Sequence, residues 1–233
     1  MGKMHKHIRQ LKKLRRNLYG IRTFIPWLRE KHRLEAMVGP LGYWNKLQSY
    51  QLNVLKSSGL NPNHTLLDIG CGPLQGGIAF IRYLDKGNYY GIDKNINSLE
   101  AGKNQLIKKG LTSKDPYIAV SNTFGEAELN GAKFDFMWAS QVLYYFNNEV
   151  IRSLMKIISE KLKDDGKFLG DIIGPKHYEF KTKEHGWVLH SVESLSDIAK
   201  EFQLKVSDLG EIEKFGYPEK LGLKTNILIE IIK

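Results

Sequence analysis

The sequence lacks several features that would define a common class of protein. Its single cysteine, Cys71, excludes an intramolecular disulfide and fits a reducing compartment. One cysteine and scattered histidines provide no ligand set for a zinc site, so we predict no bound metal. No apolar run is long enough for a transmembrane helix, and no apolar signal segment follows the basic N-terminus. We therefore expect a cytoplasmic protein.

Acidic residues are almost absent from residues 1–33, which we call the basic N-terminal segment. It holds 11 Lys and Arg residues and one acid, whereas the other 200 residues hold 24 of each sign. Apolar residues recur in it every three or four positions, which predicts an amphipathic helix. Its apolar face either packs on the protein or lies on an anionic surface. Few aromatic residues lie between the charged ones, which disfavours nucleic acid as the anionic surface and favours membrane headgroups. Binding to headgroups would place the protein peripherally at the inner membrane face.

The rest of the chain alternates short apolar runs with amphipathic stretches. We predict a helical extension and cap over residues 1–58 and a domain over 59–233. Strand–helix alternation predicts an α/β fold with a mostly parallel seven-stranded sheet covered by helices on both faces. No helix separates the last two strands, so the last strand is expected to be antiparallel. The predicted strands are 65–69, 89–93, 117–120, 134–139, 167–173, 204–212 and 225–232, and the helices are 45–58, 76–84, 96–109, 149–162 and 192–202.

Some local details of these elements also follow from the sequence. Leu99, Leu106 and Ile107 are expected on the buried face of the helix over 96–109. A turn at residues 164–166 is expected to end the helix over 149–162. Ser191 is the expected N-cap of the helix over 192–202.

A glycine-rich turn, Asp68-Ile69-Gly70-Cys71-Gly72-Pro73, joins the first strand to a helix. Gly70 and Gly72 permit a sharp bend and close approach by a ligand, and ligands of such sheets bind at the carboxyl ends of the strands. The third glycine of a dinucleotide-binding turn is absent. Asp68 makes the turn a poor host for a pyrophosphate, and Asp93, which ends the second strand, can accept the hydroxyls of a ribose. A cationic nucleoside is therefore favoured over a dinucleotide.

The stretch Leu66–Asp93 and the order of strands resemble the class I S-adenosylmethionine (SAM)-dependent methyltransferases, which have a Rossmann-like fold with a reversed last strand. The resemblance implies SAM as the cofactor and S-adenosylhomocysteine as its product. It implies that Gly70, Cys71 and Gly72 hold the methionine part, that Asp93 holds the ribose and that Asp68 orders the turn. Leu74 stands where the family has its third glycine. Further implied cofactor contacts are Lys94 and Asn95 beside the adenine, Asn122 in place of a family acid, and Ser140 in the cleft.

Methyl transfer to a hydroxyl needs positioning and a group that removes the proton. The segment after strand five follows the carboxyl end of a central strand and should roof the cleft, and His177 is the best-placed base there because a neutral imidazole suits deprotonation. Each histidine also has an ordinary interpretation as a surface residue, and Tyr144 and Tyr145 as core residues. The other candidates in the segment are Asp171, Tyr178, His185, Trp187 and His190. We predict acceptor contacts from Tyr43, Tyr144, His185 and Trp187.

The class of acceptor is narrowed by elimination and by a second, less specific resemblance. Residues 139–145 contain no proline, which disfavours amino-methylation of adenine, and Cys71 lies in the cofactor turn, which disfavours cytosine C5 chemistry. Residues 41–44, 59–62 and 87–93 resemble bacterial methyltransferases of surface polysaccharide and glycoside modification. This implies O-methylation of a small molecule or of a nucleotide- or lipid-linked sugar. Two alternatives remain: an RNA or protein methyltransferase that docks through the basic N-terminal segment, and a SAM-fold binding module without activity.

Overall fold

The computed structural model describes residues 33–39, 41–125, 127–129, 131–174 and 187–233. The chain divides into two compact units after Gly42. In the first unit, residues 33–38 are helical, and the Glu35 carboxylate accepts a hydrogen bond from the Gly42 amide at 2.9 Å. The helix predicted over the basic N-terminal segment lies outside the described residues. None of the helices in the described ranges is long and apolar enough to span a bilayer.

Within the described residues of the second unit, seven strands form one sheet in the order β3-β2-β1-β4-β5-β7-β6. The strands β1 to β5 run parallel to one another, whereas β7 is antiparallel to both of its neighbours, β5 and β6. The predicted mostly parallel sheet with a reversed last strand is thus confirmed. The strands are β1 (Leu66–Ile69), β2 (Tyr89–Asp93), β3 (Tyr117–Val120), β4 (Phe134–Ala139), β5 (Leu162–Ile172), β6 (Lys205–Glu211) and β7 (Ile227–Ile232).

Helices cover both faces of this sheet because neighbouring residues of each strand point to opposite sides. Leu66 belongs to one apolar core and Leu67 to the other. The first core contains buried apolar residues of α1, α2 and α3, and the second contains buried apolar residues of α4 and α5. The helices are α1 (Trp44–Ser57), α2 (Gly77–Tyr83), α3 (Ile96–Lys108), α4 (Asn148–Lys161) and α5 (Val192–Lys200).

Local details of the sequence prediction have mixed outcomes. Ser191 caps α5 as expected, in a reciprocal pair of hydrogen bonds with Ser194. Leu99 and Leu106 are buried, but Ile107 is 66 % exposed, so its predicted burial was wrong. The reason is geometric: consecutive helical residues differ by about 100° in direction, and Leu106 already faces the core.

The turn predicted at residues 164–166 is also corrected. Strand β5 begins at Leu162, directly after α4, and runs through these residues. Phe134 of β4 lies opposite Leu162, whereas Phe136 lies opposite Lys167, so the extra residues of β5 form a bulge. The polar Asp-Asp-Gly sequence, which resembles a turn, is therefore accommodated as an irregularity within a strand.

Candidate functional site

The glycine-rich turn after β1 is held against β2 and leaves no room for a side chain at Gly70. The amides of Gly70 and Cys71 both donate to the carbonyl oxygen of Ile92, at 2.8 and 3.1 Å. Gly70 has φ +72°, and a Cβ added there would lie 2.7 Å from a methyl carbon of Val142, which follows β4. The turn therefore needs glycine both for its backbone conformation and for its close approach to the neighbouring strand end.

Leu74, at the position of the family's third glycine, has a left-handed backbone conformation with φ +63°. Such a conformation favours glycine and costs other residues about 1–2 kcal/mol. The Leu74 side chain is fully buried, and a Cβ on Gly102 of α3 would lie 2.8 Å from its Cγ. Leu74 thus adopts a backbone conformation that glycine adopts readily, and apolar packing holds it there.

Two carboxylates stand on either side of this turn in different environments. Asp68 is only 4 % exposed and accepts a hydrogen bond from the Tyr89 hydroxyl at 2.8 Å. Burial raises the pKa of Asp68 to about 7, against the opposing effect of that hydrogen bond and with a further rise from the charge of Asp93. Asp93 is partly exposed, and its two oxygens accept the amides of Gly72 at 2.9 Å and Asn95 at 2.7 Å.

The charge at the turn favours a cationic guest. In the part of the chain that the structure describes, no lysine or arginine forms an ion pair with Asp68 or Asp93. A diphosphate would bring like charge to these two acids, whereas a sulfonium or ammonium group would be attracted. The turn, its positive-φ glycines and its acids therefore fit SAM.

A second turn, after β4, is built around a buried acid that we call the Asp171 network. Asp171 is fully buried in β5 and accepts hydrogen bonds from the Gln141 amide at 2.7 Å, the Gln141 side chain at 2.6 Å and the Asn226 side chain at 2.8 Å. Burial raises the pKa of Asp171 to about 6, and the hydrogen bonds, including one with the Ser140 side chain, oppose the rise. These bonds hold Gln141 at φ +58°. Asp171 is thus committed to the framework of the site and is no longer a candidate base.

Two of the predicted acceptor residues lie together beside this network. The rings of Tyr144 and Trp187 are 4.9 Å apart, and the Tyr144 hydroxyl donates to the Gln141 side-chain oxygen at 3.3 Å. The Val188 amide donates to the Tyr144 carbonyl at 2.8 Å, which fixes the two segments against each other. His190 is buried, with Nε2 at 2.8 Å from the Phe146 carbonyl. Burial lowers the pKa of His190, and its contacts are those of a core residue.

The other predicted site residues are more dispersed. Lys94 and Asn122 are exposed just after β2 and β3, and Ser140 is partly buried after β4. Tyr43, just before α1, lines an open cleft with residues 216 and 218–220. His177, Tyr178 and His185 lie outside the described residues.

Sequence reasoning missed a carboxylate near the end of β3. The Ser121 hydroxyl donates to Glu128 Oε2 at 3.0 Å and accepts the Gly125 amide at 2.8 Å. Glu128 follows β3 by several residues and reaches back to it through this loop, so no acid is visible at the strand end in the sequence. Across the described ranges, no group of three or more His, Cys, Asp or Glu side chains could hold a metal ion.

Helix α1 is connected to the glycine-rich turn and to β4 by glutamine side chains. The Trp138 indole nitrogen donates to Gln51 Oε1 at 3.1 Å, and Gln51 Nε2 lies 3.4 Å from Gln75 Oε1. Gln48 donates to the Gln75 carbonyl at 2.8 Å. The helix that begins at Trp44 is therefore part of the wall of the site.

Comparisons with known proteins agree with this architecture. Residues 67–168 match the family model described as a methyltransferase domain. No curated protein sequence matches the chain. The fold is shared with a SAM-dependent methyltransferase from Clostridium acetobutylicum, at TM-score 0.61 and 14 % identity over 81 % of this chain and 91 % of that one.

Two further solved structures have the same fold. Magnesium protoporphyrin IX methyltransferase from Synechocystis, solved with S-adenosylhomocysteine, has TM-score 0.62 and 13 % identity over 94 % of this chain and 99 % of that one. The glycopeptide N-methyltransferase MtfA has TM-score 0.60 and 13 % identity over 79 % of this chain and 89 % of that one. Similarity at this level of identity concerns the fold.

The fold is that of the class I SAM-dependent methyltransferases, and the residues of the turn resemble theirs. The methyltransferase domain includes residues 67–168. The predicted class, and SAM as the cofactor of that class, are confirmed.

Proposed function

We propose that the protein transfers a methyl group from SAM to a hydroxyl of a small-molecule or sugar acceptor, including a nucleotide- or lipid-linked sugar. The observation that carries the cofactor half of this proposal is the pair of acids Asp68 and Asp93, which stand on either side of the glycine-rich turn. The acceptor half is supported by the aromatic pair Tyr144 and Trp187 beside the Asp171 network.

The residues around the turn have distinct parts in holding SAM. Gly70, Cys71 and Gly72 would contact the methionine portion, and Asp93 has lone pairs left for ribose hydroxyls after accepting two amides. The pKa of Asp68 is about 7, and the positive charge of the ligand beside it would favour the ionised form of this carboxyl group. Further contacts are proposed for Lys94, Asn122 and Ser140. When bound, SAM supplies a methyl group on a positively charged sulfur.

The residues of the acceptor side orient the acceptor and remove its proton. The Tyr144 and Trp187 rings form an apolar wall that excludes water, and His185 and Tyr43 are proposed as further contacts. His177 is proposed to accept the hydroxyl proton. Magnesium protoporphyrin IX and a glycopeptide are acceptors of two proteins with this fold, which shows how widely acceptors vary on it.

Calorimetry tests the cofactor half. Titration with SAM and with S-adenosylhomocysteine should release or absorb heat with the wild-type protein, and Asp93→Ala should weaken binding at least about tenfold, as expected for the loss of hydrogen bonds to a carboxylate. Asp197→Ala is the matched control because Asp197 is exposed on α5 and forms a surface ion pair with Lys200. Absence of heat with the wild-type protein would leave a SAM-fold module without activity as the remaining interpretation.

Mass spectrometry tests the acceptor half. A screen of glycosides, nucleotide sugars and small alcohols should find a product that is heavier by one methylene. Once that acceptor is known, His177→Ala should lower kcat by about 10²–10⁴, the usual contribution of a general base. Full turnover by this variant would eliminate His177, and methylation of RNA or protein alone would replace the small-acceptor proposal.

We also propose that the basic N-terminal segment contacts an anionic membrane surface. The net positive charge is confined to residues 1–33, while the charges of the other residues sum to zero. The full chain should co-sediment with phosphatidylglycerol vesicles at low salt and be released as salt rises. A chain without residues 1–33 should remain in solution. Binding to RNA instead of vesicles, with a steep dependence on salt, would favour a macromolecular acceptor.

A further inference from the structure

The side chain of Tyr89 runs along β2 towards the glycine-rich turn. Residues two positions apart in a strand point to the same face, so Tyr89 and Gly91 share one face of β2. A Cβ added to Gly91 would lie 2.9 Å from the Tyr89 hydroxyl oxygen, and Asp68 of β1 lies opposite Gly91 in the sheet. The lack of a side chain at Gly91 therefore allows a tyrosine at the start of β2 to reach the carboxylate beside the turn.

A second glycine, on α2, makes room for the same hydroxyl. A Cβ on Gly77, the first residue of α2, would lie 2.5 Å from the Tyr89 hydroxyl oxygen. The centres of the Tyr89 ring and of the Phe80 ring on α2 are 6.5 Å apart. Because Tyr89 is only 2 % exposed and is packed between β2 and α2, its hydroxyl is held in one place.

The enclosed hydroxyl binds two side chains at the turn. It donates to Asp68 Oδ2 at 2.8 Å, and it also forms a hydrogen bond with the side chain of Cys71. Since the hydroxyl has one hydrogen, which it donates to Asp68, the thiol is the donor in the second bond. Tyr89 thus joins the carboxylate before the turn to a residue within it.

The other oxygen of Asp68 remains available to a ligand. No described residue donates to Asp68 Oδ1, and yet this oxygen is not one of the buried atoms that lack a partner. Oδ1 therefore adjoins a space that a ligand atom can enter. A carboxylate attracts a cation far more strongly than a neutral carboxyl group does, so the ionisation of Asp68 decides how firmly a cation is held there.

Among the groups around Asp68, Tyr89 is the one that favours the ionised form. Burial raises the pKa of Asp68, the hydrogen bond from Tyr89 lowers it, and the charge of Asp93 adds a smaller rise. The Cys71 thiol stays neutral because burial raises its pKa. On the other side, β4 places Trp138, which does not titrate, opposite Asp68. Among the described residues, α1 and α2 add no charge that acts on this carboxyl group.

We propose that Tyr89 is a positioning residue for the cofactor: by donating to Asp68 Oδ2, it keeps this carboxyl group ionised at neutral pH and leaves Oδ1 for the positive charge of SAM. This role rests on the proposed function, which places SAM at the turn. A residue that need not contact SAM would then set how SAM binding depends on pH.

Calorimetric titration of the full chain with SAM between pH 6.5 and pH 8.5 tests this role. Wild-type affinity should rise with pH until Asp68 is ionised and then level off. Tyr89→Phe should bind about fivefold more weakly than wild type at pH 7 but less than about twofold more weakly at pH 8.5, because loss of one hydrogen bond to a charged group moves a pKa by about one unit. Comparison with wild type at each pH cancels the titration of SAM itself.

Tyr90→Phe is the matched control. Tyr90 is the next residue of β2 and faces the other side of the sheet, where its ring packs on Phe134. This variant should bind SAM as wild type does at every pH. Tyr89→Phe keeps the ring and its packing on Phe80, and urea unfolding at each pH shows whether both variants are folded.

An Asp68→Asn background separates charge from structure. Without a charge to stabilise, adding Tyr89→Phe should change SAM affinity by less than about twofold at every pH. A loss by the same factor at every pH, or an equal loss in the Asp68→Asn background, would mean that Tyr89 only supports the fold, and would overturn the proposal. Unchanged affinity of Tyr89→Phe at pH 7 would overturn it as well. Absence of SAM heat in the wild-type protein overturns the proposed function instead.

Discussion

The turns after β1 and after β4 each hold a residue in a left-handed backbone conformation, but they do so with different interactions. Each contains a residue with a left-handed backbone other than glycine, Leu74 in the first and Gln141 in the second, and each has a buried carboxylate beneath it. Leu74 is held by apolar packing, and Asp68 is left to accept a hydrogen bond from the Tyr89 hydroxyl. Gln141 is held by hydrogen bonds to Asp171, whose oxygens are thereby occupied. The first turn keeps a carboxylate free to respond to a ligand, and the second uses its carboxylate for structure.

The largest expected effect distinguishes the two carboxylates. Asp171→Ala leaves the donors of Gln141 and Asn226 buried without an acceptor, and we expect a loss of about 3–5 kcal/mol in the free energy of unfolding. Asp68→Ala leaves only the Tyr89 hydroxyl, and we expect a loss of about 1–2 kcal/mol at most. Urea unfolding measures both. Equal losses would show that the two turns are built alike.

The next effect concerns the space at the first turn. Gly70→Ala places a Cβ 2.7 Å from Val142 in a positive-φ conformation, and we expect a loss of about 2–3 kcal/mol and at least about tenfold weaker SAM binding. Gly110→Ala is the control, because Gly110 has φ +64° but open space around it. That variant should lose only about 1 kcal/mol and bind SAM normally. Similar behaviour of the two variants would mean that close approach is unimportant.

The pH dependence of stability should differ between the carboxylates. A raised pKa means that the folded state prefers the protonated acid, so wild-type stability falls relative to Asp68→Asn as pH rises from about 4 to about 7, and then stays level. For Asp171→Asn the corresponding fall should end near pH 6. Differences from wild type in urea unfolding across this range cancel the titration of other groups. A rise in place of a fall would reverse the assignment of burial as the dominant cause.

The smallest expected effect isolates the strain at Leu74. Leu74→Gly and Leu74→Ala both remove core packing, but only glycine relieves the left-handed backbone. We therefore expect Leu74→Gly to be about 1 kcal/mol more stable than Leu74→Ala. In a helix the order is the reverse, because alanine is more stabilising there than glycine. Thermal or urea unfolding measures the difference. Alanine as the more stable variant would show that packing alone decides this position.

Much of the fold was predictable because it depends on local patterns. The bounds of β3 and β4 agree with those predicted from apolar runs, and the missing helix before β7 indicated its reversed direction. The bulge in β5 was not predictable, because Asp-Asp-Gly is equally typical of a turn, and only the register against β4 distinguishes the two.

The framework of the site was less predictable because its partners are distant in sequence. Asp68 and Asp93 were visible from their positions at strand ends. The Asn226 side chain, just before β7, reaches Asp171 across 55 positions of sequence, and Trp138 reaches Gln51 across 87. A single polar residue beside an apolar run does not reveal which buried group it will meet. The same limit applied to Glu128, whose loop returns it to the end of β3.

The reversed direction of β7 has a practical consequence. This strand starts at the end of the sheet where Asn226 meets Asp171. It therefore finishes at the opposite end of the strands, where Lys233 contacts Asp164 at 3.1 Å. A fluorophore or a biosensor surface attached beyond Ile232 would thus sit on the far side of the sheet from the ligand-binding edge. Immobilised protein of this kind should remain accessible to nucleosides and sugars, which allows many candidate acceptors to be screened on one chip.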